Sequence, residues 1–248
     1  MPKIFGFVSL STQTKVMLVG IVALVILTSS VFYVQAYHKL KPVYEVPTDK
    51  KVVALTFDIS WGNQTPMPVI EILKENNIKC TFFLSGPWVK QYPEIAQRIR
   101  KDGHEIGSHG YRHINLSNLS KSEIMDEIAK AHKNIKEVTG TEAALIRTPN
   151  GDYNDQVIEG IHESNYEAIQ WTTDSLDWMN PGVNTIIERV TKKAHPGDII
   201  LMHASDTCKQ TQEALPVVIK NLKEQGYQFV TVSELLKEAP PKTNGSEQ

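Results

Sequence analysis

From Lys51 onward, strand-like and helix-like patterns alternate along the chain, and this alternation limits the possible folds more than any other feature. The first apolar run, Val52–Phe57, precedes a helical pattern over Pro66–Asn76, whose prolines fall in the first turn, where a missing N–H costs little. Six more strand patterns follow: Cys80–Leu84, Glu105–Ser108, Leu145–Arg147, Glu167–Trp171, Asp198–His203 and Gln228–Val232. Seven strand–helix repeats predict an α/β domain with a parallel sheet, either open or closed into a barrel.

Helical patterns occupy the intervals between these strands. The longest, Ser120–Val138, begins with a capping box formed by Ser120 and Glu123 and ends at Gly140. The other predicted helices are Pro93–Lys101, Asn154–Ser164, Thr185–Ala194, Thr211–Glu224 and Ser233–Glu238. The repeats therefore predict one folded domain over residues 51–238.

The segments on either side of this domain differ from it in composition. Val16–Val34 is almost entirely apolar and uncharged, so residues 1–36 are predicted to be a membrane anchor or a signal peptide. Residues 37–50 contain two prolines and are predicted to be a linker, and residues 239–248 a disordered tail. We therefore expect an exported protein that is either secreted or held by its N-terminal helix on the outer face of the cytoplasmic membrane.

The charge and the cysteine content exclude two other classes of protein. Lys and Arg number 26 and Asp and Glu 28, so there is no basic excess of the kind that nucleic-acid binding needs. The chain has only two cysteines, Cys80 and Cys208, which do not make a disulfide framework. Cys80 lies in an apolar strand pattern and is expected to be a small buried side chain.

Polar residues that can carry chemistry follow several predicted strands at their carboxyl ends, where parallel sheets bind their ligands. They are Asp58, His109, His113, Arg147, Asp174, Asp177 and His203. The two histidines of the pair are four residues apart and can share one cation on a helical turn, although such a pair alone is more often a surface feature. Because these seven residues are all expected at the carboxyl-end rim of the sheet, they indicate metal-assisted hydrolysis.

Five segments in order along the chain resemble the motifs of the polysaccharide deacetylases with a NodB-type domain (carbohydrate esterase family four). They are Thr56–Asp58, Ser108–His113, Arg147–Gly151, Asp174–Trp178 and Leu201–His203. The resemblance covers Lys51 to Lys237, and the variant first motif looks closest to the sporulation-specific, PdaB-type members. It implies a distorted (β/α) barrel with seven or eight parallel strands.

The same resemblance implies a role for each matched residue. Asp58 would be the general base, and His109 and His113 would hold a divalent metal, most often zinc. Arg147 would orient Asp58. Asp174 would sit behind His203, the general acid.

The resemblance also implies a substrate, an N-acetylated sugar in a peptidoglycan-like or chitin-like polymer of the spore or cell wall. The products would be an amine and acetate. Trp61, Tyr153 and Trp178 are the side chains expected to bind the sugar rings.

The first motif departs from the family pattern at one position. Family members usually have a second aspartate as third metal ligand, and here that position is Ile59. Asn63 or Asp152 could substitute for it, but the spacing selects neither. Three possibilities remain: a low-affinity metal enzyme, a metal-independent variant, or a domain that binds glycan without turning it over. If the protein were instead an unrelated metallohydrolase with a barrel fold, the five ordered motifs would have to be a coincidence.

Overall fold

The computed structural model describes residues 41–239, together with five isolated positions nearer the N-terminus: 11, 13, 17, 20 and 21. The described residues from Pro42 onward belong to one compact unit. Apart from those isolated positions, the predicted anchor lies outside the described residues, as does almost all of the predicted tail, so both stay predictions. In the part of the chain that is described, no helix combines the length and the apolar character needed to cross a membrane.

Eight parallel strands form the sheet. They are β1 (Val52–Ile59), β2 (Thr81–Leu84), β3 (Glu105–Ser108), β4 (Leu145–Ile146), β5 (Glu167–Ala168), β6 (Thr173–Asp174), β7 (Ile199–His203) and β8 (Gln228–Val230). Their order is β5-β4-β3-β2-β1-β7-β6, and β8 also pairs with β1. The sequence prediction of a distorted barrel with seven or eight parallel strands is confirmed.

Helices cover the outside of this sheet. They are α1 (Pro66–Glu75), α2 (Gly86–Gln91), α3 (Pro93–Lys101), α4 (Lys121–Thr139), α5 (Asp155–Glu163), α6 (Val183–Lys193), α7 (Thr211–Glu224) and α8 (Val232–Leu235). The capping box predicted for α4 is present, and the helix ends at Gly140 in a left-handed conformation. Helix α2 was not predicted, because it is one short turn beginning at a Gly-Pro pair that is also typical of a loop.

The central strand β1 is buried along its whole length. It pairs with β2 on one side and with β7 on the other, and Phe57 stacks on Phe82 at 5.3 Å between ring centroids. A strand buried on both faces reads as a continuous apolar run, which is why this element was clear in the sequence. Its carboxyl end therefore lies at the middle of the rim.

The strand predicted over Glu167–Trp171 is shorter in the structure, where it covers Glu167–Ala168 (β5), and a further short strand, β6, follows at Thr173–Asp174. β5 pairs with β4 at one edge of the ladder, and β6 pairs with β7 at the other. Between them Thr172 N donates to Ile199 O and Gln170 N to Val43 O. The segment thus changes partners from one edge of the sheet to the other, which a uniform local pattern cannot reveal.

The predicted linker is partly wrong, because residues 43–46 pack on the domain. Val43 pairs with Ile169, and Glu45 pairs with Asp198. Val46 donates its N–H to Gly197 O and is 3% exposed, within the hydrophobic core. The folded unit therefore begins several residues before Lys51.

Candidate active site

A cleft of about 510 Å³ opens at the carboxyl ends of the strands. Its wall includes five of the six residues predicted to act in catalysis or to bind metal: Asp58, His109, His113, Asp174 and His203. The sixth, Arg147, is fully buried behind Asp58. The structure therefore brings together side chains that come from β1, β3, β4, β6 and β7 or from the loops that follow them.

Asp58 lies opposite His203 across the β1–β7 pair, in direct register. Its Oδ1 accepts a hydrogen bond from Arg147 at 2.9 Å, and the same guanidinium donates to Thr56 Oγ1 and to Gln170 O. Burial opposes ionisation of this carboxyl, but the neighbouring positive charges, that of Arg147 first, and the hydrogen bond from Arg147 together outweigh it and lower the pKa of Asp58. Asp58 is consequently an ionised base at neutral pH, with its second oxygen on the cleft side.

His109 is arranged as a metal ligand is. Its Nδ1 lies 2.9 Å from Arg147 O, a carbonyl that can only accept, so Nδ1 carries the proton and Nε2 keeps its lone pair. Nε2 lies 3.7 Å from Asp58 Oδ2. Burial lowers the pKa of His109 to about 4, which keeps the ring neutral as a ligand must be.

His113 completes the pair, with its ring centroid 5.2 Å from that of His109. Burial also lowers the pKa of His113. Its loop is held by the buried carboxylate of Glu127 on α4, which accepts from Arg112 N at 2.9 Å and from Arg112 Nε at 2.7 Å. Two neutral imidazoles with a carboxylate beside them are ligand types that suit a divalent cation.

The structure does not supply the missing carboxylate from the positions considered in the sequence. Ile59 is fully buried. Asp152 accepts hydrogen bonds from Ser117 N and Oγ, and neither Asp152 nor Asn63 belongs to the cleft wall. Asp58 Oδ2 lies 3.7 Å from His109 Nε2, so Asp58 is the carboxylate beside the two histidines in this part of the cleft.

His203 is held by Asp177, and the prediction that Asp174 sits behind it is wrong. Asp177 Oδ1 lies 2.7 Å from His203 Nδ1, and its Oδ2 accepts from His203 N at 2.8 Å and from Thr211 Oγ1 at 2.7 Å. Burial opposes protonation of His203, but the hydrogen bond and charge of Asp177, together with the charges of Asp58 and Asp174, outweigh it and raise the pKa of His203. Nε2, the other ring nitrogen, is therefore the one free to exchange a proton.

Asp174 takes a different place, although it lines the same cleft. Its Oδ1 accepts from Leu176 N at 2.8 Å, and its register partner is Leu201, two residues before His203. Asp177 reaches His203 because a short turn over Asp177–Met179 folds back across the end of β7. Asp174 contributes its negative charge, which raises the pKa of His203 less than Asp177 does.

Of the three predicted sugar-binding side chains, Trp61 and Trp178 line the cleft, with 50% and 51% of their surface exposed. The Trp61 ring lies 4.6 Å from the His113 ring, centroid to centroid. Tyr153 is not part of the cleft wall, and its hydroxyl lies 2.8 Å from that of Tyr44. Two indole faces are thus available to sugar rings at the mouth of the cleft.

The loop that carries Trp61 is fixed by the two residues that follow Ala204. Asp206 accepts hydrogen bonds from three consecutive backbone amides, those of residues 63, 64 and 65, and its own N–H donates to Trp61 O. Ser205 Oγ accepts from the backbone N–H of residue 60 at 3.0 Å. Gly62 has φ +76°, and a Cβ there would lie 2.0 Å from the Asp206 carboxyl carbon, so this approach requires glycine.

Sequence reasoning missed Thr211, Ser205, Asp206 and the place of Cys208 in the cleft wall. Each acts through a contact with a residue far away in the chain or through a backbone amide, and no local pattern records such contacts. The spacing between Asp174 and Asp177 also gives no means of choosing which acid meets His203.

The residues from 45 to 169 match the family model described as polysaccharide deacetylase. The chain belongs to the polysaccharide deacetylase family. A peptidoglycan-N-acetylglucosamine deacetylase of Bacillus cereus is 37% identical over 78% of this chain and 92% of its own length. The Bacillus subtilis protein YlxY is 35% identical over 80% of this chain, which spans only 61% of that relative.

The fold matches a solved structure of the same family. BA3943 from Bacillus anthracis, described as a CE4 family pseudoenzyme, aligns with a TM-score of 0.76 and 37% identity over 82% of this chain and 71% of that one. A mutant of BA3943 is described as having restored enzymatic activity. The similar proteins therefore include one named as a deacetylase and one described as a pseudoenzyme.

Proposed function

We propose that this protein removes acetyl groups from N-acetylated sugars of a polysaccharide, with a peptidoglycan-like glycan as the first substrate to test. The observation that carries the proposal is the pair of Asp58 and His203, which face each other across β1 and β7 with pKa values shifted in opposite directions. An ionised base and a protonated acid on one cleft are what amide hydrolysis needs.

The acetamide carbonyl is a poor electrophile and its nitrogen a poor leaving group. Asp58 removes a proton from the attacking water and is kept ionised and aligned by Arg147. His203 then gives a proton to the sugar nitrogen as the carbon–nitrogen bond breaks, and Asp177 stabilises its charged form. Amine and acetate leave, and protons exchanged with solvent restore both groups.

A divalent cation, for which we propose zinc, would be held by His109 and His113 beside Asp58. When bound, it supplies charge that polarises the carbonyl and lowers the pKa of water. The two-imidazole set predicts weak binding, because a catalytic zinc usually has three protein ligands. Ile59 in place of a carboxylate is our explanation for that weakness.

The cleft also supports a polymeric substrate. Trp61 and Trp178 stand half exposed at its mouth, where they can stack on sugar rings on either side of the reacting unit. The relative from Bacillus cereus is named for action on the N-acetylglucosamine of peptidoglycan, which supports the same polymer class here.

We propose further that the protein is exported and that its apolar N-terminal segment attaches it to the membrane or is cleaved on export. The apolar run over Val16–Val34 supports this location, and a cell-wall substrate lies outside the membrane. Action during sporulation follows only from the likeness of the first motif to PdaB-type members. Separating membrane and soluble fractions of cells that express the full chain tests the location.

A specific observation favours a second candidate, a glycan-binding domain without turnover. The similar structure BA3943 is described as a pseudoenzyme. The intact acid and base of this chain favour catalysis, whereas the substitution at position 59 favours binding alone.

Acetate release decides between the two. The full chain should release acetate from purified peptidoglycan or from acetylated chitooligosaccharides, and added zinc or cobalt should increase the rate. Binding of the same oligosaccharides without acetate release, with or without metal, would establish the second candidate instead.

A further inference from the structure

We propose that Asp177, His203 and Cys208 form a second cation site, selective for soft divalent ions such as zinc or cadmium, and that an ion bound there stops deacetylation. We call these three residues the acid-end cluster. The binding half stands on the geometry alone, whereas the inhibition half rests on the proposed function.

The geometry already gathers three different ligand types. One ligand atom from each residue lies within 4.8 Å of the other two. Cys208 is 1% exposed, and it belongs with His203 to the wall of the same cleft, so an ion has a path from solvent. The loop between β7 and α7 fixes the thiol, since Cys208 N donates to Ser205 O at 2.9 Å.

A modest movement turns this cluster into a site. Asp177 Oδ1 and His203 Nδ1 are 2.7 Å apart and share a proton. Two such ligands around a tetrahedral zinc ion lie about 3.3 Å apart. An ion that replaces the shared proton therefore needs this pair to open by only a fraction of an ångström, with Cys208 Sγ as the third ligand and water from the cleft as the fourth.

Protons and charge balance in this step. Burial, and next the charge of Asp177, raise the pKa of the Cys208 thiol to about 12, so the thiol is protonated before the ion arrives. A coordinated thiol loses its proton outright. The thiol proton and the Nδ1 proton of the imidazolium pass to solvent, and the dication meets one thiolate and one carboxylate.

The sulfur ligand gives the cluster a metal preference that the His109–His113 pair lacks. Thiolate and imidazole select zinc and other soft ions, whereas magnesium and manganese prefer oxygen. An ion on Nδ1 leaves the Nε2 proton on a ring that is no longer an imidazolium, and such a ring is a much weaker acid towards the leaving nitrogen. The same ion that assists the reaction at the His109–His113 pair should therefore inhibit it at higher concentration.

Cadmium titration of the metal-free full chain tests the binding half, because a cadmium–thiolate bond absorbs in the ultraviolet. The wild type should show this band, and Cys208→Ser should lose both the band and one bound ion per chain. Cys80→Ser is the matched control, since Cys80 is also fully buried but lies beside His104 at the opposite end of the strands. Its band should be unchanged.

A band that is absent from the wild type, or that persists in a folded Cys208→Ser, would overturn the site. Cys208→Ala serves as a second variant if the serine protein does not show a cooperative melt.

Acetate release against zinc concentration tests the inhibition half. The wild-type rate should rise and then fall, and in Cys208→Ser the fall should need at least about tenfold more zinc, the loss expected when a metal site loses a supporting group. Magnesium should not produce the fall. If no variant releases acetate, the proposed function fails while the cadmium result still decides the site. If acetate is released and excess zinc affects both proteins equally, the inhibition is wrong and the function stands.

Discussion

The histidines on the two sides of Asp58 differ in exposure and in their partners, since the His109 side chain is 4% exposed and the His203 side chain 20%. His109 meets a backbone carbonyl through Nδ1, and burial lowers its pKa to about 4. His203 meets the carboxylate of Asp177 through Nδ1, and its pKa is raised. One ring is therefore a neutral ligand and the other a proton donor, because the group at Nδ1 is a neutral carbonyl in His109 and a charged carboxylate in His203.

Another histidine, His104, shows that a low pKa alone does not mark a functional residue. His104 lies at the start of β3, at the opposite end of the strands from the cleft, and burial lowers its pKa to about 4 as well. Its Nδ1 accepts from Cys80 N at 3.3 Å. What separates His109 from His104 is the carboxylate of Asp58, the second imidazole of His113 and the open cleft.

The largest effect is expected from Asp58→Asn, which removes the base between the two histidines. Acetate release should fall by about 10²–10⁴-fold, the range for loss of a general base. Oligosaccharide affinity should change little, because the carboxylate acts in the transition state. Initial rates and calorimetric binding measure the two effects.

Asp152→Asn is the control, since Asp152 bonds to Ser117 and should leave the rate unchanged. Equal loss of binding and rate in Asp58→Asn would show that Asp58 acts only as a structural partner of Arg147.

Asp177→Asn should reduce the rate by about 10²-fold and change its pH dependence. The negative charge of Asp177 raises the pKa of His203, so the wild type keeps its acid protonated to higher pH and loses activity as pH rises through that pKa. Without the charge, the loss should begin at lower pH. Thr211→Val is the matched control, because it removes one hydrogen bond to Asp177 but keeps the charge. If the rate of Asp177→Asn falls at the same high pH as that of the wild type, this assignment is wrong.

Ile59→Asp should strengthen metal binding by about tenfold or more, since even an outer-shell group changes metal affinity by about 10–100-fold. The new carboxylate would complete a two-histidine, one-carboxylate set. Calorimetric titration with zinc or cobalt compares Ile59→Asp with Ile59→Asn, because asparagine has the shape of aspartate without its charge. Identical affinities in wild type and Ile59→Asp would mean that position 59 does not face the His109–His113 pair.

The smallest effect is expected from Asp206→Asn, which weakens the support of the Trp61 loop. The KM for an oligosaccharide should rise a few-fold, because the stacking face is worth about 0.5–1.5 kcal/mol and is only displaced. The kcat should be nearly constant. Trp61→Ala, which removes the face altogether, should raise the KM at least as much, and adding Asp206→Asn to it should change the KM little. A fall in kcat without a change in KM would place the role of Asp206 at His203 instead.

The fold was predictable because its signals are local. Buried parallel strands such as β1 are continuous apolar runs, and α4 begins and ends with side chains that cap it. The barrel and the rim that bears the site follow from these patterns and from the ordered motifs. The segment 167–174 and the bridge at Val43 were not predictable, because their partners are distant in sequence.

The residues of the candidate site were predictable, but their hydrogen-bond partners were not. The motif positions gave Asp58, His109, His113, Arg147 and His203 together. Asp177 was confused with Asp174, because only the folded turn at Asp177–Met179 decides which acid reaches His203. The support from Asp206 could not be seen either, since it acts on backbone amides.

Titration of the histidine ring signals by NMR in the metal-free full chain tests most directly whether His109 is a neutral ring and His203 a protonated one on the same rim. The resonance lost in His203→Gln should titrate above the ordinary histidine value of about 6.5. The resonance lost in His109→Gln should stay that of a neutral ring until the pH approaches 4, where its pKa lies. A His203 that titrates at or below the pH of His109 would contradict the account.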